Sequence, residues 1–237
     1  MTTEQWAHAV RHQLGLGRLL PLGGPHDGAW ISEEAAGAVL RRATRELRGV
    51  RLDALRIALA DPDIAHDPAV PPPPSALPPG PLRLTADFAT TASEPLPARA
   101  ALLRTTLAAA ATELLGLALA EVDLRVTALL DEEPGPAPVR APAPPPATEP
   151  DDADELRAAS AALMVPGVTH LTGGLGRAAV HITAFQEEGS LPHRHARVEI
   201  AVSATHRASD VARQVRAAVT ESLPDHPTVA VLVTAVS

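Results

Sequence analysis

The chain lacks cysteine, lysine and tyrosine altogether, and it holds only two tryptophans and two phenylalanines in 237 residues. Without cysteine there are no disulfides, no thiolate metal sites and no thiol catalysis. Without lysine there is no Schiff-base chemistry and no phosphate-loop lysine, so every fixed side-chain cation is an arginine. With aromatics at 2%, the core must be built from Ala, Val, Leu and Ile, and few platforms remain for stacking bases or sugars. Positive charge is also short: the net charge is −8 with a pI near 5.6. That balance argues against general nucleic-acid binding and against direct adsorption to an anionic membrane. The start, Met1-Thr2-Thr3-Glu4-Gln5, has no basic segment followed by an apolar run, so no signal peptide is expected. No apolar stretch is long and clean enough to span a bilayer. These absences lead to an expectation of a cytoplasmic protein.

What is present is an abundance of small apolar residues and proline, with 46% hydrophobic content and 25 prolines. Residues 2–14 read as a short helix with Trp6, Val10 and Leu14 on one face. Arg18–Trp30 reads as irregular, and residues 1–31 are taken as an N-terminal arm. Ser32 is an N-cap candidate, with Glu33 and Glu34 in the first helical turn. Ala36, Val39, Leu40, Ala43 and Leu47 form the apolar stripe, and Gly49 stops that helix. Val50–Leu59 and Leu82–Ala92 alternate as strands around a proline-rich loop, Asp61–Pro81, which reads as a disordered hairpin loop rather than a PxxP ligand. A helix with Leu96, Ala100, Leu103, Leu107, Ala111 and Leu114 on one face then leads to a strand, Glu121–Leu129. Residues 132–150 form a Pro/Ala-dense linker.

The same order follows again. Asp151–Val165 is a helix with Leu156, Ala159, Ser160 and Leu163 expected inward. Arg177–Phe185 and Arg197–Ala204 are strands, Ala208–Leu223 is a helix burying Val211, Val215, Ala218 and Val219, and Val229–Val236 closes the chain. The final strands share a phrase, Val126-Thr127-Ala128-Leu129 and Val233-Thr234-Ala235-Val236. The expected fold is therefore α+β, with two tandem α-β-β-α-β repeats at 32–131 and 151–237, each a small three-stranded sheet packed with helices. Trp30, with Trp6, is expected to cap the first repeat.

Three segments carry a resemblance to a known family. They are the helix-ending turn Val165-Pro166-Gly167-Val168 (more weakly Leu47-Arg48-Gly49-Val50), the strand-to-helix step through Val198–Thr205 and Ala208–Val219, and the strand Ala120–Leu129. In these the chain resembles the alkaline-shock-protein family, the general-stress and envelope-stress-response proteins of Gram-positive bacteria. Thr90-Thr91 and Thr205-His206 stand where that family often has Tyr-Gly. The resemblance implies a non-enzymatic, stress-related scaffold that self-associates or binds a protein partner. It also implies a place at the cytoplasmic face of the envelope, by recruitment through a membrane protein and without a span of its own.

Among individual residues, His193 and His195 are the most metal-like pair. Two imidazoles at i and i+2 on one face of a strand can share an ion, with His181 or His206 as further ligands. A ligand- or metal-binding role for this loop is the alternative to the scaffold. Arg41, Arg45 and Arg48 on the first helix, and Arg213 and Arg216 on the last, are the candidate interaction surface for acidic partners or lipid headgroups, with an ordinary solvated face as the plainer reading. Thr172-Gly173-Gly174-Leu175-Gly176-Arg177 resembles a phosphate loop but precedes a strand, so it reads as a turn. No nucleophile turn or paired acid and base is found, and no cofactor is expected. A KH-like nucleic-acid module ranks last, because its GXXG turn between helices is missing and the net charge has the wrong sign.

Overall fold

The computed structural model describes residues 17–135, 138–175, 178–185 and 193–237. The Trp6 helix expected at 2–14 lies outside them. Among the described residues the fold is α+β, with nine strands in two sheets and four helices. In chain order the elements are β1 (Leu19–Pro21), β2 (Ala29–Ser32), α1 (Glu33–Thr44), β3 (Val50–Leu59), β4 (Leu82–Thr91), α2 (Leu96–Ala109), β5 (Leu119–Leu130), α3 (Ala153–Leu163), β6 (Val168–Leu171), β7 (Val180–Phe185), β8 (His193–Val202), α4 (Ala208–Ser222) and β9 (Thr228–Val236).

One sheet runs β3-β4-β5. β3 is antiparallel to β4, and β5 is parallel to it after the α2 crossover. The other runs β1-β2-β9-β8-β6, with β7 also on β8. There β6 and β7 are both antiparallel to β8, and β9 is parallel to it after α4. β6 and β7 thus occupy the same side of β8 as two pieces of an interrupted edge. In the smaller sheet the corresponding edge, β3, has only a register shift between Leu52 and Leu55.

The sheets are less symmetric than the sequence order suggests. The stretch expected to be irregular, Arg18–Trp30, contributes β1 and half of β2, and β2 pairs in parallel with β9, the last strand of the chain. Three- and four-residue strands leave no measurable alternation, and partners remote in sequence leave no local signal.

α1 begins as its sequence indicates. The Ser32 Oγ accepts from the Ala35 N–H at 3.2 Å and donates to the Thr234 carbonyl at 3.4 Å, so the helix cap is also a tie to β9. Ala36, Val39 and Leu40 are buried, and Ala43 and Leu47 are half-buried beside them. α2 keeps Leu103 and Leu107 inside, then continues as a π-helical stretch, Ala110–Leu115. Its wider i→i+5 winding shifts the inward face: Leu115 is buried, and Leu114, expected inward, is exposed. α3 is also rotated from expectation. Leu156 and Leu163 are exposed, and the inner face is Ala158, Ala159 and Ala162. Alanines let α3 approach α4 closely, so the larger leucines point away. α4 buries Val211, Val215 and Val219 as its periodicity indicates.

One apolar core joins both sheets. It includes Ile31 of β2, Ile57 of β3, Phe88 of β4, Leu107 of α2, Val198 of β8 and Val231 of β9. A second, smaller cluster lies on the opposite face of the larger sheet and comprises Leu19, Trp30, Val70, Ala230 and Leu232. Its cover is the proline-rich loop, which is packed rather than disordered. The Leu77 carbonyl accepts from the Trp30 Nε1–H at 3.1 Å, and Leu19 exchanges backbone bonds with Ser75 and Leu77. Trp30 is therefore seated under this loop, on the sheet containing the C-terminal strands, and does not cap the first half alone. Pro146 and Thr148 of the linker likewise bridge to Thr172 and Ala178, so that part of the linker runs along the interrupted edge.

Candidate interaction surface

The arginines expected to form one surface divide into three roles. Arg213 and Arg216 are engaged. Arg213 meets Asp27 at 3.4 Å and Asp210 at 3.2 Å, and an Arg216 Nη1–H donates to the His26 carbonyl. Together they hold the β1–β2 turn onto α4. Arg41 donates to the Leu52 carbonyl at 3.1 Å and the Asp53 carbonyl at 2.8 Å, satisfying the bulged backbone of β3. Arg45 and Arg48 are exposed, and no side-chain ion pair is found for either among the described residues.

These two border an open groove of about 740 Å³. Thr44, Leu47, Val50 and Leu52 contribute to its lining, as do Arg41, Arg45, Arg48 and Arg51. Glu133, Pro134, Gly135, Pro138 and Val139 supply the wall from the linker, and Glu46 and Glu133 are its acidic groups. Arg51 is paired with Asp53 at 2.8 Å, and the remaining three arginines against Glu46 and Glu133 leave the groove positive by one charge in a chain whose overall charge is negative. The cause is local. α1 places Arg41 in its last turn, where the helix dipole favours it, the turn into β3 adds Arg48, and β3 itself adds Arg51.

The two candidate metal ligands are placed differently from each other. His193 is exposed, and its ring stacks on Phe185 with centroids 5.8 Å apart. His195 is buried, with its Nδ1 and the Thr228 hydroxyl 2.9 Å apart, and Phe185 packs edge-on to its ring at 6.3 Å. Burial, then the nearby Arg197 charge, lowers the His195 pKa to about 4. His181 lies opposite Arg197 and approaches Glu155 at 3.7 Å, whereas His206 precedes α4 and contacts the Thr205 hydroxyl. No group of three or more His, Asp or Glu able to hold a metal is present among the described residues. Arg194, between the two histidines, faces the other way. It joins Asp154, in the first turn of α3, to Asp225, just before β9, each through a 2.6 Å contact.

A buried carboxylate that the sequence did not single out lies further along the same strand. Glu199 of β8 has no exposed surface and sits opposite the break between β6 and β7. Its backbone bridges the break, accepting from the Thr172 N–H and donating to the Ala179 carbonyl. Its side chain accepts from the Leu175 N–H at 3.0 Å. The glycine-rich loop that resembled a phosphate loop therefore turns an amide toward a carboxyl group of the protein itself. Burial raises the Glu199 pKa to about 7, against the stabilising Leu175 amide and the Arg197 charge. An acidic residue inside an alternating strand was visible in Val198-Glu199-Ile200, but its burial depended on the loop laid over it.

No protein-family model matches this chain, and no curated protein matches it. No helix among the described residues is long and apolar enough to cross a membrane.

Proposed function

We propose that this chain is a non-enzymatic interaction protein that docks an acidic segment of a protein partner in the groove between α1 and the linker. The observation that carries this reading is the pair Arg45 and Arg48, exposed without described ion-pair partners on a positive groove in an acidic protein. Arginine forks suit carboxylates, and the apolar floor at Leu47 and Val50 gives such a segment something to cover. The two halves are read as divergent copies of one α-β-β-α-β unit, a reading supported by their matching element order and by the antiparallel-then-parallel pairing in each. With the alkaline-shock resemblance, this supports a stress-related scaffold role at the cytoplasmic face of the envelope, reached through a membrane protein partner.

The test is fluorescence anisotropy with two labelled peptides, one rich in Glu and Leu and one rich in Lys and Leu. Wild type binds the acidic peptide, more weakly as salt rises, and Arg45→Glu/Arg48→Glu abolishes binding while the melting temperature is unchanged. Equal binding of both peptides, binding of neither, or an unaffected double variant overturns the reading.

A further inference from the structure

Two open sheets have four edges, and an edge strand left bare pairs with whatever strand it meets. Three of the four are closed within the chain. β3 carries a bulge, Arg41 takes the Leu52 and Asp53 carbonyls, and the Glu33 carboxylate accepts from the Ile57 N–H at 3.1 Å. β1 is three residues long and is bonded to the proline-rich loop through Ser75 and Leu77. The β6/β7 edge is interrupted; Pro146 and Thr148 lie along it, and the Glu155 carboxylate accepts from the Ile182 N–H at 3.0 Å.

β5 is different. It is the longest strand described, twelve residues, and mostly exposed. The one cover described along its outer backbone is Arg104 of α2, whose Nε–H donates to the Val122 carbonyl at 3.2 Å. That bond marks Val122, and by alternation Leu124 and Val126, as residues whose backbone groups point away from β4. Between its two register shifts the strand is regular from Glu121 to Val126. Val126 is 39% exposed and Leu129 60% exposed.

We infer that β5 is a homodimer edge, pairing antiparallel with β5 of a second copy about a two-fold axis through Leu124. The occupant follows from the sequence of the strand itself. In that register Asp123 meets Arg125 of the second copy, twice by symmetry, and Val122 meets Val126. The opposed charges fall in the non-hydrogen-bonded pairs, where side chains are closest. Within one copy Arg83 already lies 3.6 Å from Asp123, and Arg125 meets Asp87 at 2.6 Å. Pairing therefore extends an alternating row across the axis, from Arg83 and Asp123 to Arg125 and Asp87 of the second copy. A parallel pairing in register would instead set Asp123 on Asp123 and Arg125 on Arg125. On the inner side Ala101 and Ala108 share the α2 face of Arg104. Their small side chains let the two α2 helices approach once Arg104 releases its carbonyl. The joined structure is one six-stranded sheet in which this edge no longer exists.

Sedimentation equilibrium over a concentration series tests this with the full chain. Wild type is expected to dimerise. Asp123→Arg alone and Arg125→Asp alone each place like charges opposite one another twice and weaken the dimer by roughly tenfold or more. An equimolar mixture of the two variants regains a dimer. One chain then presents arginine at both positions of the pair, the other presents aspartate at both, and opposite charges meet on each side of the axis. Recovery in the mixture also shows that both variants fold. A monomeric wild type, single variants that dimerise as well as wild type, or a mixture that stays monomeric overturns the inference. None of these outcomes bears on the arginine groove, which lies beside β3.

Discussion

Two residues on one strand give the protein opposed pH dependences. Glu199 is an acid whose folded pKa is raised from 4.5 to about 7 by burial. The folded state thus favours its protonated form. Its contribution to stability is fully present below the unfolded value and is lost as pH rises toward 7. Glu199→Gln, a neutral mimic able to accept the same Leu175 amide, should raise the melting temperature above pH 7 by the equivalent of about 1–3 kcal/mol and leave it unchanged below the unfolded carboxylate range. A scan of melting temperature against pH checks both limbs. His195 is a base whose folded pKa is lowered from 6.5 to about 4. Its contribution is present above 6.5 and lost as pH falls toward 4. NMR titration should find the His195 ring neutral until the pH falls toward 4. His195→Gln should flatten the acid limb. Neither shift was legible beforehand, because β8 reads as an ordinary alternating strand until the 172–175 loop and β9 enclose it.

Among the elements, helix ends were legible from single residues, whereas helix faces were legible for α1 and α4 but not for α3 or the end of α2. Gly49 and Gly167 were read as stops after α1 and α3, and both have left-handed φ, +67° and +95°. A Cβ at Gly167 would stand 2.7 Å from the Val211 Cγ2 on α4. Gly167→Ala therefore combines backbone strain with a clash and should destabilise by about 2 kcal/mol or more in chemical denaturation. Ser32→Ala removes a cap and a tie to β9 together and should cost about 1 kcal/mol. Such ends are encoded by single residues with special backbone needs. Faces are set by neighbours, which is why the alanine side of α3 won over its leucines, and why a π-helical stretch turned Leu114 outward.

In the molecule as a whole, the two halves of the chain are interlocked. β2 adds to the sheet of β8 and β9, the 61–81 loop covers Trp30, Ala230 and Leu232, and α1 is tied to Thr234 through Ser32. The C-terminal half alone would lose the cover of an apolar sheet face, which favours aggregation. A protease site inserted at residues 132–135 should give two fragments that co-elute after cleavage. Residues 151–237 expressed alone should aggregate, and co-expression with residues 1–135 should rescue them. Independent folding of the C-terminal fragment would contradict this interlocking.

Residue order alone was enough for the α+β class, the order and ends of most helices and longer strands, and the exclusion of thiol, Schiff-base and phosphate-loop lysine chemistry. Those follow from local periodicity, from glycine and serine at turns, and from residue types that are simply missing. The folded chain added what no local pattern held. The N-terminal arm completes the C-terminal sheet, Arg213 and Arg216 are engaged while Arg45 and Arg48 border a groove, Glu199 is buried, and among the described residues three sheet edges are closed while β5 is left open. Each of these depends on partners far apart in the chain, and a pattern read along the chain has no term for contacts made across it.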